Sequence, residues 1–417
     1  MSAVHRRDGE LWMEGVRLAD VASRFGTPCY VYSRAAIEGA WRAFDEGLAG
    51  TDHLVCYAVK ANANLAVLAL LARLGSGFDI VSGGELARVL AAGGRADRVI
   101  FSGVGKSEAE IRAALAAGIR CFNVESEPEL ERLDRLAGEA GVRAPVSLRV
   151  NPDVDAGTHP YISTGLKGNK FGIAHDRALA AYDLAARLPN LRVTGIDCHI
   201  GSQILDMAPL EEALDRVLEL AAAVAARGIP VTHVDVGGGL GIRYREEETA
   251  LDIGRWCAAV GRRLAGTGYA VVVEPGRSIV GNAGVLLTRV EYLKLDKDRR
   301  FAIVDASMSE LIRPALYEAW HEIAPLAALD RPEAVYDVVG PVCESSDVLG
   351  TDRRLAIEEG DGLAILSAGA YGMAMASNYN SRPRPAEVLV SGNRTTLIRR
   401  RERLEDLWSH EIPGAET

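Results

Sequence analysis

Between residues 54 and 276, short apolar runs rich in β-branched, aromatic and Cys residues alternate with longer Ala- and Leu-rich stretches whose apolar positions recur three and four apart. The short runs read as buried strands and the longer stretches as helices with one packed face. Eight runs are counted: 54–60, 77–82, 98–103, 120–126, 145–152, 192–201, 232–239 and 270–276. Helical stretches lie between them at 63–74, 84–93, 107–117, 126–140, 208–227 and 248–266. Eight strand–helix alternations predict an α/β protein built on a TIM-like (β/α)8 barrel. An open doubly wound sheet is the alternative, and the lack of a Gly-x-Gly-x-x-Gly after the first run counts against it.

After about residue 280 the runs continue without intervening helices, at 285–295, 301–305, 335–339, 363–367, 387–390 and 395–399. This predicts a second, all-β domain. A further strand is expected at 10–12, and a short helix before a strand at 30–32. The expected partition is a barrel over 30–280 and a β-domain made of 1–29 with 281–417.

Composition narrows the function. Of 417 residues, 48% are apolar and 25% charged, as in an ordered globular protein. Lys and Arg total 47 against 57 Asp and Glu, a net charge of −10 that argues against nucleic acid as the main ligand and favours a small molecule. The six cysteines contain no Cys-x-x-Cys pair, so neither a metal site nor a disulfide framework is expected, and they read as reduced thiols of a cytoplasmic protein. The charged N-terminal residues predict no export leader. Residues 362–381 carry no charge, but their glycines, serines and asparagines read as loop, so no membrane span is expected. The run 399–403, four arginines and a glutamate, reads as a solvated face.

In such a barrel, chemistry gathers at the C-terminal strand ends. The polar residues fall there: Lys60, Asp79, Arg149, His199, Gly237 to Gly239, and the Glu274-Pro275-Gly276-Arg277 sequence. Lys60 closes an apolar strand, a setting that favours a neutral amine able to form an imine; a lysine snorkelling from a strand end is the plain reading. The triple glycine either opens backbone N–H groups to a phosphate or makes a tight turn. Glu274 has the chemistry to keep a pyridine nitrogen protonated, and His199 to stack on such a ring or to serve as a hydrogen-bonded core residue.

Together, Tyr57-Ala58-Val59-Lys60-Ala61-Asn62, the stretch from Gly77 to Glu85, His199-Ile200-Gly201-Ser202-Gln203, the glycine run and Glu274 to Arg277 resemble the fold-type III pyridoxal-phosphate decarboxylases over residues 10–400. Within that group the chain is most similar to the diaminopimelate decarboxylases. Three segments carry the choice: His159 to Gly165 running on to Asn169-Lys170-Phe171-Gly172, similar to the family's active-site loop; Met308 to Tyr317; and Cys343 to Asp347 with Gly369 to Met373. Ser307 stands where this family commonly has glycine.

The resemblance implies decarboxylation of meso-2,6-diaminopimelate to L-lysine, the last step of lysine biosynthesis. Lys60 would bond to pyridoxal phosphate, His199 pack on its ring and Glu274 pair with its nitrogen. Ser202, Gly237, Gly238, Gly239, Gly276, Arg277 and Tyr371 would hold the phosphate. Cys343 would reprotonate the carbon that loses CO2, with Lys60 as the competing donor. The family places Cys343 and Glu344 in the neighbouring subunit's barrel, which implies a homodimer with shared sites. At the substrate's far end, Arg277 and Arg313 suit the carboxylate with hydroxyls from Tyr317 and Tyr371, and Glu344 suits the ammonium. Ornithine or lysine would leave an arginine unpaired, at a cost of roughly 2–5 kcal/mol. An amino-acid racemase on this barrel would set an arginine, not Glu274, against the ring nitrogen.

Overall fold

All eight apolar runs form parallel strands: His53–Ala58, Gly77–Ile80, Val99–Phe101, Cys121–Val124, Ala144–Asn151, Leu191–Asp197, His233–Asp235 and Ala270–Val273. Each pairs with the next, and the eighth returns to the first with Val271 opposite His53, so the sheet closes. This computed structural model describes residues 3–155, 170–297, 299–328, 330–412 and 414. The chain divides into two compact units: Glu38–Ile242 with Thr249–Ile279, and Met1–Ile37 with Arg243–Glu248 and Val280–Thr417.

In the barrel unit the helices begin where short polar side chains cap them. Asn64, Ser82, Ser107, Ser126, Asp206 and Asp252 each accept a backbone N–H from the first turn, and Ser107 with Glu110 forms a reciprocal capping box. The eighth strand is followed only by one turn, Arg277–Val280. The helix Arg34–Gly47 packs instead on Ile253–Leu264, and a side chain at Gly47 would put its Cβ 2.9 Å from that of Cys257. Cys56, Ile100, Cys121 and Val272 fill the barrel interior, all fully buried. Five of the six cysteines are buried; Cys343 is exposed.

The second unit is mostly sheet, in the order Val348–Leu355, Ala334–Val339, Arg299–Val304, Gly284–Asp296, Cys29–Ser33, Ala386–Ser391, Arg394–Arg399. Ile323–Pro325 and Gly362–Ile365 add to it through Gly284–Asp296. The expected boundary at residue 30 moves. Cys29–Ser33 is buried throughout and lies antiparallel to 284–287 and parallel to 386–390, so its apolar side chains belong to this sheet's core with Val285, Leu287 and Val388. The strand at 348–355 has no apolar run in sequence because its centre, Thr351-Asp352-Arg353-Arg354, is polar.

The arginine run at 399–403 is tied down rather than merely solvated. Arg399 pairs with buried Glu387, Arg400 with Asp406, and Arg401 donates to the Pro28 carbonyl at 2.7 Å. The serine at 307 is likewise built in: its hydroxyl and its N–H both donate to Glu310 Oε2 at 2.7 Å, and its Oγ accepts the Ser309 N–H at 3.0 Å. No helix among the described residues is long and apolar enough to cross a membrane.

Candidate active site

Lys60 leaves the first strand on a single 3-10 turn, Val59–Ala61, steadied by the Tyr57 hydroxyl donating to the Asn62 carbonyl at 3.0 Å. Its Nζ donates to Asp79 Oδ2 at 2.7 Å, from the end of the second strand. The apolar setting expected for Lys60 is therefore corrected. Its side chain is 37% exposed and ion-paired, while Asp79 is wholly buried.

Three more carboxyl groups end the sixth, seventh and eighth strands. Asp197, Asp235 and Glu274 are all buried, and each offers an oxygen within 4.8 Å of the others. Burial, then repulsion from Asp235, Asp79 and Asp197, pushes the Glu274 carboxyl well above its usual range, with Lys60 opposing. Burial and Asp235 do the same to Asp197 against Arg149. Asp235 is pushed up to about 6, chiefly by burial, and is eased by the Gly237 N–H that donates to its Oδ1 at 2.9 Å. Carboxylates this close in a low-dielectric site need a positive charge or a retained proton. Asn123 Nδ2 donates to Glu274 Oε1 at 3.4 Å.

Arg149, from the fifth strand, reaches Glu125 at 3.3 Å and Asp197 at 3.9 Å and lies over the Phe171 ring. Glu125 gathers several loops, accepting N–H bonds from Gly103 at 2.8 Å and Gly172 at 3.0 Å. Behind it, Lys106 is buried and donates to the carbonyls of Gly103 and Asn123 and to Glu129, at 2.7–2.8 Å each. Of the loop expected over 158–172, His159 to Gly165 and Asn169 lie outside the described residues.

His199 Nδ1 accepts the Gly238 N–H at 3.2 Å. Burial, reinforced by Arg149 and Lys60, pushes its imidazole well below its usual range, so the ring is neutral with its hydrogen on Nε2. The glycine run is bound by close approach. Gly237 and Gly239 have φ of +65° and +101°, and a Cβ on Gly238 would lie 2.3 Å from the Glu274 carbonyl. Gly276 has the same constraint against Ala58, at 3.0 Å. Arg277, buried at the start of its short helix, donates to Ser202 Oγ at 3.2 Å.

The remaining expected residues belong to the sheet unit. Arg313 and Tyr317 open and close the helix Arg313–Tyr317. Arg313 is buried, with Nη1 donating to His321 Nε2 at 2.7 Å and its guanidinium 4.8 Å from the Tyr244 ring centre; His321 Nδ1 in turn donates to the Leu366 carbonyl. Cys343 and Glu344 are exposed on one loop, where the Cys343 N–H donates to Asn380 and the Tyr379 hydroxyl to Glu344. Tyr371 is half-buried with φ +56°, a left-handed conformation rare for a residue with a Cβ.

Asp197, Asp235, Asn123, Glu125 and Lys106 were not among the expected site residues. The available signal was a single polar residue at the end of an apolar run, as in Gly195-Ile196-Asp197 and His233-Val234-Asp235. Lys106 had none, because its burial depends on the Asn123 carbonyl and the Glu129 carboxylate, which the next strand and helix bring to it.

Residues 34–281, which contain all eight barrel strands, match the family described as pyridoxal-dependent decarboxylase, pyridoxal binding domain. Curated relatives extend the match to the whole chain. The diaminopimelate decarboxylase of Vibrio cholerae is 58% identical over 98% of both chains, and that of Pseudomonas aeruginosa 59% over 99% of both. Among solved structures, the diaminopimelate decarboxylase of Helicobacter pylori in complex with L-lysine superposes with a TM-score of 0.91 at 44% identity, covering 94% of this chain and 99% of that one. The chain belongs to the diaminopimelate decarboxylase family, whose members are pyridoxal-phosphate-dependent carboxy-lyases.

The barrel residues fit that cofactor. The crowded carboxylates call for a cation such as a protonated pyridine nitrogen, Lys60 presents a primary amine, and Arg277 with Ser202 and the glycine amides supplies anion donors.

Proposed function

We propose that the chain decarboxylates meso-2,6-diaminopimelate to L-lysine and CO2, the last step of lysine biosynthesis, as a homodimer in the cytoplasm. The observation that carries the chemistry is Glu274, buried among Asp79, Asp197 and Asp235 at the strand end. Such a carboxyl holds a proton at a ring nitrogen, whereas a racemase would place an arginine there. Pyridoxal phosphate, when bound, supplies a ring that accepts the electron pair left as CO2 departs.

The residues then divide the work. Lys60 Nζ holds the cofactor, and Asp79 orients that amine. Neutral His199 packs on a ring face. Gly237, Gly238, Gly239, Gly276, Arg277, Ser202 and the Tyr371 hydroxyl bind the phosphate. Arg313, set by His321 and Tyr244, receives the distal carboxylate with Arg277, Tyr317 and Tyr371, and Glu344 receives the distal ammonium. Cys343 delivers the proton to carbon from the partner subunit. Its exposure, shared with Glu344 beside it, supports a role outside its own core.

The deciding experiment incubates the protein and pyridoxal phosphate with diaminopimelate isomers, ornithine, lysine and arginine, and measures CO2. Release from the meso isomer is expected; release from ornithine alone would overturn the reading.

A further inference from the structure

Charged and polar groups face Glu274 from six strand ends: Lys60, Asp79, Asn123, Arg149, Asp197 and Asp235. Asp79, Asp197 and Asp235 each keep one buried oxygen without a hydrogen-bond partner among the described residues, and Asp235 is the one whose other oxygen is fixed by a backbone N–H beside Glu274. Oδ1 accepts the Gly237 N–H at 2.9 Å, and Gly237 is itself fixed by its carbonyl, which takes the Glu274 N–H at 2.7 Å. Oδ2 is buried and has no hydrogen-bond partner among the described residues. As a bare carboxylate oxygen it would be orphaned beside another carboxylate, the costliest arrangement available. As an O–H it has an acceptor in the Glu274 carboxyl, which lies in the same cluster of oxygens and pairs with Asp235.

We propose that Asp235 is a positioning residue, a neutral carboxylic acid whose Oδ2–H donates to Glu274 while Glu274 faces the ring nitrogen of the cofactor. At neutral pH the Asp235–Glu274 pair carries one proton, with or without the cofactor. Without the cofactor, Glu274 holds it and Asp235 accepts, in line with the Glu274 contact that favours the ionised form of Asp235. Once a ring cation faces Glu274, the Glu274 O–H bond breaks and an Asp235 Oδ2–H bond forms. Both electron pairs stay on oxygen, and the pair keeps a charge of −1. Asn123 Nδ2, which also contacts Ser102 Oγ at 3.2 Å, supplies the second donor to Glu274. The carboxylate is thus aimed by two donors and ionised on one side only.

The inference rests on the assignment of Glu274 to the ring nitrogen, and the test separates the two. Wild type, Asp235→Asn and Asp235→Ala are stripped of cofactor and titrated with pyridoxal phosphate, following visible absorption. Asparagine keeps an acceptor for Gly237 and puts an N–H where Oδ2–H stands, so Asp235→Asn should bind within about threefold of wild type, and Asp235→Ala about tenfold or more weaker. Asparagine as harmful as alanine, or alanine equal to wild type, overturns the proposal. An infrared difference between wild-type and Asp235→Asn holoenzymes at neutral pH should show the stretch of a protonated carboxyl, and its absence also overturns it. Wild type that fails to bind the cofactor, or Glu274→Gln with unchanged affinity and spectrum, overturns the Glu274 assignment itself and this proposal with it.

Discussion

Lys60 Nζ lies 2.7 Å from Asp79 Oδ2, and the carboxylate of that pair is wholly buried while the lysine remains partly open to solvent. The amine is thus oriented by a fixed, buried carboxylate while its own side chain stays accessible to solvent. Asp79 keeps its second oxygen without a hydrogen-bond partner among the described residues.

Lys60→Ala should abolish both the visible absorption of bound pyridoxal phosphate and turnover. Retention of either signal would show that another amine holds the cofactor.

Arg313→Ala should raise KM for meso-diaminopimelate far more than it changes any value for lysine, because lysine brings no distal carboxylate. The expected loss of roughly 2–5 kcal/mol corresponds to ~30-fold or more. Steady-state kinetics on both compounds checks this, and equal effects would remove Arg313 from the distal site.

If Cys343 acts in the partner's site, Lys60→Ala and Cys343→Ala should each be inactive as homodimers yet complement one another. Random reassortment makes half the dimers mixed, each with one intact site, so about a quarter of wild-type activity should return. No recovery after mixing under dissociating conditions would place Cys343 in its own subunit's chemistry or outside the reaction.

Lys106→Met should destabilise the barrel by about 3–5 kcal/mol in urea, since it strips a buried cation from Glu129 and two carbonyls. Combining it with Glu129→Gln should recover part of that loss. A single mutant as stable as wild type would mean that Glu129 finds another partner.

The cofactor-free protein should lose stability as pH rises from about 4 to 6. Asp235 has its ionisation pushed up to about 6 in the folded chain, against roughly 4 when unfolded, so within that window the folded state binds more protons. Two units amount to roughly 3 kcal/mol. Asp235→Asn should remove that share of the slope, giving a variant that matches wild type below pH 4 and exceeds it above pH 6. Parallel urea-midpoint profiles for the two proteins would contradict this.

The eight barrel strands could be read from sequence because a strand buried on both sides is apolar throughout. Lys60, His199 and Glu274 drew notice as candidates because each closes such an apolar run. Asp197 and Asp235 end strands too, but their significance lies in their separation from Glu274, which depends on how the closed sheet brings the sixth, seventh and eighth strands together. The boundary at residue 30 failed for a related reason. Cys29–Ser33 looks like any buried strand, and only its partners, more than 250 residues later, decide which sheet it joins.

That pairing also dictates an order of assembly. Cys29–Ser33 sits between Gly284–Asp296 and Ala386–Ser391, so a strand made before the barrel waits for one made after it before both its edges are covered. The entire barrel sequence is synthesised in between. A chain halted at residue 380 would therefore carry the whole barrel sequence and a bare edge on an apolar strand, a state open to edge-to-edge aggregation.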